Sequence, residues 1–193
     1  MEYDECIIYT PKLVERTISG AYENDRVTAI GEYAFSNCTA LNSVSFPAAT
    51  SVGKSAFEKC TYLVTINLPM VESISNSAFS ECRGLTSIKL PATKTINASA
   101  FYNCTALNQV DLPVATQLTY PFTGCNALTA LILRNAESVC AWSPYGSGPI
   151  QSGVCYIYVP AALVDSYKAA TNWSTYADQI RAIEDYPEIC GGE

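Results

Sequence analysis

Apolar and polar residues alternate in Leu41-x-x-Val44-x-Phe46, and the spacing returns in Leu63-x-x-Ile66-x-Leu68, Leu85-x-x-Ile88-x-Leu90, Leu107-x-x-Val110-x-Leu112 and Leu128-x-x-Leu131-x-Leu133. Alternation of this kind marks a half-buried strand. Pro47, Pro69, Pro91 and Pro113 close four of these runs. Proline has no amide hydrogen to give to a ladder, so each strand is predicted to end there and the chain to turn. A second apolar position follows at steps of 22: Ile30, Val52, Ile74, Ile96 and Leu118. It is predicted to pair with its neighbours over a few residues. The opposite wall comes from Phe35, Phe57, Phe79 and Phe101, again 22 apart, with Phe122 after 21. Cys38, Cys60, Cys82, Cys104 and Cys125 follow each phenylalanine, and Leu41, Leu63, Leu85, Leu107 and Leu128 follow each cysteine, both at three-residue steps. The i, i+3, i+6 spacing predicts a turn of α- or 3₁₀-helix there.

A fixed period of this length is the signature of a solenoid. No single repeat buries its own apolar face, so stability is a sum of nearest-neighbour interfaces and the ends need caps. The predicted organisation is an N-terminal β cap over 1–26, repeats over 27–134, an irregular loop and last coil over 135–160, and a C-terminal helical cap and tail over 161–193. Glu23-Asn24-Asp25 reads as a turn between two strands of the first cap. Ser143 to Pro149 reads as a loop inserted into a sixth coil, whose strand is Cys155 to Pro160. Ala161 to Ala170 is predicted helical, with Leu163, Tyr167 and Ala170 on one face, and Ser174 is placed to cap a second helix carrying Tyr176, Ile180 and Ile183. The acidic tail from Glu184 is expected to be loosely held.

The run I-G-x-x-A-F-x-x-C-x-x-L-x-x-V-x-L-P, best seen from Ile30 to Pro47 and from Val52 to Pro69, resembles the BspA-like subgroup of leucine-rich repeats. The resemblance covers residues 27–134, and the copies drift at the end: Pro121 precedes Phe122, and Arg134 stands in the proline position. It implies an α/β repeat fold, a right-handed leucine-rich repeat solenoid with short parallel strands in about five to six coils of 22 residues. It also implies a surface or secreted bacterial protein of the adhesion type. Related repeats occur in phage-encoded proteins, so a virion component with the solenoid as rigid spacer is the alternative. The run from Ile157 to Ser174 looks like a terminal module found beside such repeats.

Only 15% of residues are charged and the net charge is −7, so the exposed surface is largely uncharged and polar, and no basic stripe exists for nucleic acid. No apolar run is long enough to cross a bilayer as a helix. The first residues, Met1 to Cys6, carry neither a positive nor an apolar signal region. The chain is therefore extracellular if a signal has been trimmed, and otherwise a virion or cytoplasmic protein.

The nine cysteines read mainly as frame. The five repeat cysteines are predicted to stack as buried thiols, because side chains pointing the same way do not reach disulfide geometry. A metal site lacks Cys-x-x-Cys spacing, and the chain has no histidine. Cys140 and Cys155 bracket the loop and are candidates for a disulfide, as are Cys6 and Cys190. Absent histidine also removes Ser-His-Asp and Cys-His catalysis, and no phosphate-cradling glycine loop is present. The chain is read as a non-enzyme without cofactor or metal.

Binding residues are sought where the period leaves freedom. Two outward columns are predicted on the strands: Ser43, Thr65, Ser87, Gln109 and Ala130, and Ser45, Asn67, Lys89, Asp111 and Ile132. The second varies from coil to coil inside a fixed frame, as a surface that reads a protein or glycan ligand requires. Against this stands the plain reading of solvated sheet residues. Trp173 and its neighbouring tyrosines are either a sugar platform or the packing that seats the helices on the last coil.

Overall fold

The computed structural model describes residues 6–8, 18–144, 150 and 153–190. Strands are numbered in chain order. One wall holds β1 (Cys6–Ile8), β3 (Val27–Ile30), β5 (Ser51–Val52), β7 (Ser73–Ile74), β9 (Thr95–Ile96), β11 (Gln117–Thr119) and β13 (Ala141–Ser143), paired in that order. A second wall holds β2 (Gly20–Glu23), β4 (Leu41–Ser45) and β6 (Thr65–Asn67), and then β8 (Ser87–Lys89), β10 (Gln109–Leu112), β12 (Ala130–Leu133), β14 (Tyr156–Val159) and β15 (Ile180–Ala182). All pairings are parallel, and Val44 lies beside Ile66 as Val52 lies beside Ile74. The chain is a parallel solenoid, as the period predicts. The Glu23–Asp25 turn joins β2 and β3, which belong to different walls.

The third wall differs from the predicted helical turn. Each Ala-Phe-x-x-Cys segment is a chain of tight turns with two left-handed residues: Tyr33, Ser55, Ser77 and Ser99 at one position, and Asn37, Lys59, Glu81 and Asn103 at the other. Gly124 takes the second position in the fifth coil, with φ +78°. Alternating handedness turns every second amide along the solenoid axis, so that it serves the next coil. Phe35, Phe57 and Phe79 donate to the carbonyls of Ala56, Ala78 and Ala100, and Asn37, Lys59 and Glu81 to those of Glu58, Ser80 and Tyr102. A helix would have kept those bonds within one coil and left this wall joined from coil to coil only by packing.

Inside, Phe35, Phe57, Phe79 and Phe101 stack with centroids 5.1, 5.0 and 5.3 Å apart and planes within 5° of parallel. Four of the repeat cysteines show a polar task as well as a packing one. The Cys60, Cys82 and Cys104 thiols donate to the carbonyls of Phe35, Phe57 and Phe79 at 3.1 Å, and Cys125 to that of Phe101 at 2.9 Å. The seven cysteines with described side chains are buried thiols, Cys140 and Cys155 included, so those two do not form the disulfide considered from sequence. Cys6 and Cys190 have side chains outside the described set. Burial pushes the Cys140 and Cys155 thiols up to about 12. Burial also raises Cys82 and Cys104 well above the ordinary thiol range, and neighbouring thiols in the column add to it.

The C-terminal end carries helix α1 (Val164–Ala169), as predicted, with Tyr167 buried. The second predicted helix is instead a kinked 3₁₀ turn, Ser174–Gln179, running into β15. Ser174 makes no capping bond, and Ile180 enters the sheet beside Ile157. The cap meets the last coil through named hydrogen bonds. The Cys140 amide donates to the Tyr167 hydroxyl, Trp173 Nε1 donates to the Cys140 carbonyl and Asn172 Nδ2 to that of Trp142, all between 2.6 and 2.9 Å. Trp173 is 1% exposed and stacks on Trp142, so it packs the cap and is no sugar platform.

Candidate binding surface

The outward columns lie on the second wall, and their exposure changes along it. Thr65, Asn67, Ser87 and Lys89 are exposed, while Ser43 and Ser45 are half-buried. Asn67 Nδ2 donates to Ser45 Oγ at 3.0 Å, so adjacent coils also share bonds on the outer face. Between β6 and β8 the ladder is interrupted, which is why the wall forms two sheets. A groove of about 490 Å³ opens there, lined by Thr65, Asn67, Ser87 and Lys89 with Ile66 and Ile88. Val64 and Met70 stay about half exposed beside it.

Further along, the predicted columns are covered. Ile132 is 0% exposed, Ala130 6% and Asp111 7%. The cause is the chain end. Helix α2 (Pro187–Cys190) and the preceding turn fold back across the outer face, so that Ile183, Tyr186 and Ile189 pack on Ala130, Ile132 and Tyr158. Half-buried Gln109 donates from Nε2 to the Ile189 carbonyl at 2.9 Å. The tail expected to be loose is therefore a strap through residue 190, and residues 191–193 lie outside the described set. Ile132, an isoleucine at an outward position, is explained by this cover. Asp111 is held by Arg134, whose Nε and second guanidinium nitrogen reach the two carboxylate oxygens at 3.0 and 3.2 Å. Lys89 approaches the same carboxylate at 3.9 Å. Arg134 sits in the position that earlier coils give to proline, and the paired carboxylate is tied to the frame.

A second recess, of about 630 Å³, lies between strap and wall. Tyr156, Arg181 and Tyr186 line it, and none was among the sequence candidates. The signal was there: Tyr156-Ile157-Tyr158 alternates like the earlier strands, and Tyr156 lies beside Ala130, continuing the first column. The described residues hold no cluster of metal-ligating side chains. No described helix is long and apolar enough to cross a membrane.

A parallel solenoid with a stacked phenylalanine–cysteine frame and one polar wall is a repeat scaffold with a surface for recognition. Residues 17–129 match the BspA type leucine rich repeat region in 6 copies, and the chain belongs to that family. Among solved structures, a leucine rich cell surface protein from Faecalibacterium prausnitzii A2-165 is 26% identical, with a TM-score of 0.58 over 66% of this chain and 36% of that one. A leucine-rich repeat protein from Bacteroides ovatus ATCC 8483 shares the fold at 20% identity and TM-score 0.54, over 86% of this chain and 36% of that one. The T. pallidum leucine rich repeat protein shares it at 23% identity and TM-score 0.52, over 59% and 58%. This chain thus spans less than two thirds of the length of each. No curated protein is significantly similar to it.

Proposed function

We propose that the chain is a non-catalytic recognition module that binds a protein or glycan partner at a bacterial cell surface, as part of an adhesin. The supporting observation is the open stretch of the second wall. Thr65, Asn67, Ser87 and Lys89 vary in chemistry at equivalent positions and border a groove where the strand ladder is interrupted. Residues of the frame are buried and spent on coil-to-coil contacts, whereas these four are free to contact a ligand at the groove. A 26% identical relative is a leucine rich cell surface protein, which supports the same location. The test is a binding screen of the chain against immobilised host matrix proteins and a glycan array, with Asn67→Ala/Lys89→Ala alongside. Capture that weakens in the double variant supports the reading. Capture that is unchanged rejects this face as the contact.

A further inference from the structure

The recess under the strap has a lining of unusual composition for this molecule. Its floor is Ala130 and Tyr158, and Tyr158 is braced edge-on by Tyr186 with centroids 5.4 Å apart. One side is Tyr156, over whose ring the Arg181 guanidinium lies 4.8 Å from the centroid. The guanidinium takes up one face of the ring, and Tyr156 as a whole remains 42% exposed. Around them stand Asn108, Gln109 and Thr129. Gln109 uses its amide nitrogen to hold the strap, which leaves its side-chain oxygen as an acceptor toward the recess. Thr129 donates to the Asn108 carbonyl and keeps its hydroxyl lone pairs.

Charge narrows the ligand class. Arg181 is the one cation in the lining and Glu188 the one anion, so the lining is balanced. A phosphate or nucleotide ligand calls for a cluster of cations, which is absent from the lining. A fatty or purely aromatic ligand would make no use of the Asn108 amide, the Gln109 side-chain oxygen or the Thr129 lone pairs that border the recess. A sugar ring fits both halves of the lining. Its C–H face lies on an aromatic ring, and its equatorial hydroxyls both donate and accept, matching amides and a threonine. The volume lies in the ordinary range of small-molecule pockets.

We propose that this recess binds one neutral sugar ring of a glycan, stacked on Tyr156 and hydrogen-bonded by Asn108, Gln109 and Thr129. The site is separate from the open groove and does not depend on it. The strap forms its outer side, so an otherwise covered stretch of wall becomes a pocket.

Saturation-transfer NMR on the full chain tests this, with the methyl glycosides of N-acetylglucosamine, galactose, mannose and glucuronic acid as probes. The expected result is transfer to the ring C–H protons of at least one neutral glycoside, with binding about tenfold weaker in Tyr156→Leu, the change expected for losing one aromatic contact. Thr129→Val, at an exposed site, weakens the same signal and serves if Tyr156→Leu folds poorly by circular dichroism. Asn67→Ala/Lys89→Ala leaves the signal intact, even where it abolishes partner capture, so failure at one site is distinguishable from failure at the other. No transfer from any neutral glycoside, transfer to the glucuronide alone, or transfer unaltered in both Tyr156→Leu and Thr129→Val overturns the proposal.

Discussion

The second wall is one continuous succession of strands in sequence and two different surfaces in space. From β4 to β8 its outer face carries serine, threonine, asparagine and lysine in contact with solvent. From β10 to β14 the equivalent positions Asp111, Ala130, Ile132 and Tyr158 are buried, while Gln109 is half-buried and Tyr156 stays exposed beside them. The inner face is the same in both stretches. The difference therefore comes from what lies outside: the strap supplies Ile183, Tyr186 and Ile189 to one half and nothing to the other. A repeat period specifies the interior of a solenoid. It does not specify the outer face, where any segment that folds back can convert an exposed column into a second small core.

Central and terminal coils are also held differently, and the largest effect expected of a single substitution lies in the centre. Central coils rely on repeated identical contacts. Phe79→Ala removes a ring stacked on both sides and is expected to cost about 3–5 kcal/mol, measured by denaturant unfolding. A loss under about 1 kcal/mol would mean that the coils do not depend on the stack. Next comes alkali, which acts on both halves. Cys82, Cys104, Cys140 and Cys155 have thiols raised by burial, from an ordinary 9.0 to about 12 for the last two. A thiol raised in the folded state keeps its full contribution below its unfolded value and loses it as pH rises toward the folded one. Stability should be flat to about pH 8 and then fall, by about 1.4 kcal/mol per pH unit for each such thiol. A melting temperature level to pH 11 would contradict the buried column.

The covered half has its own weak point in Asp111. Arg134→Ala leaves a carboxylate that is 7% exposed with only the distant Lys89 amine for company. The expected loss is about 1–3 kcal/mol, discounted because Arg134 is itself partly exposed. Asp111→Asn/Arg134→Ala should recover most of it. A double variant as unstable as the single one would place the value of Arg134 in its packing.

How much of this was legible depended on whether a residue answers to the period or to a remote segment. Phe, Cys and Leu recur every 22 residues because each touches only its counterparts in the adjacent coils, so the column was readable from spacing alone. The turn wall is not a helix although its spacing predicts one, because i, i+3 spacing suits a helix and a chain of tight turns equally. Left-handed Ser55, Lys59 and their equivalents carry no strong sequence mark. Of the candidate binding residues, Thr65, Asn67, Ser87 and Lys89 are exposed as expected. Ile132 is not, because its cover comes from residues 183–189, some 50 positions away, and Asp111 is not, because Arg134 of the next coil closes over its carboxylate. An isoleucine at an outward position was the one local hint. Tyr156 lies beyond the last regular repeat, where the 22-residue period no longer marks the column although the alternation continues into β14.

The smallest effect expected is at the seam between solenoid and cap, where a single oxygen is at issue. The Cys140 amide lies at the last strand of the first wall, with no further coil to receive it, and the Tyr167 hydroxyl accepts its hydrogen at 2.9 Å. Tyr167→Phe keeps the ring that packs edge-on against Trp173 and deletes only that acceptor. The cost should be about 1 kcal/mol, below that of any change to the phenylalanine stack. Hydrogen exchange at the Cys140 amide should quicken while exchange in β7 and β9 does not. This pattern would establish that the cap works by completing the backbone bonds of the terminal coil, whereas the central coils complete one another. If exchange instead rose evenly along the first wall, cap and coils would unfold as one unit, and the distinction between repeated and individual contacts would be one of geometry without an energetic counterpart.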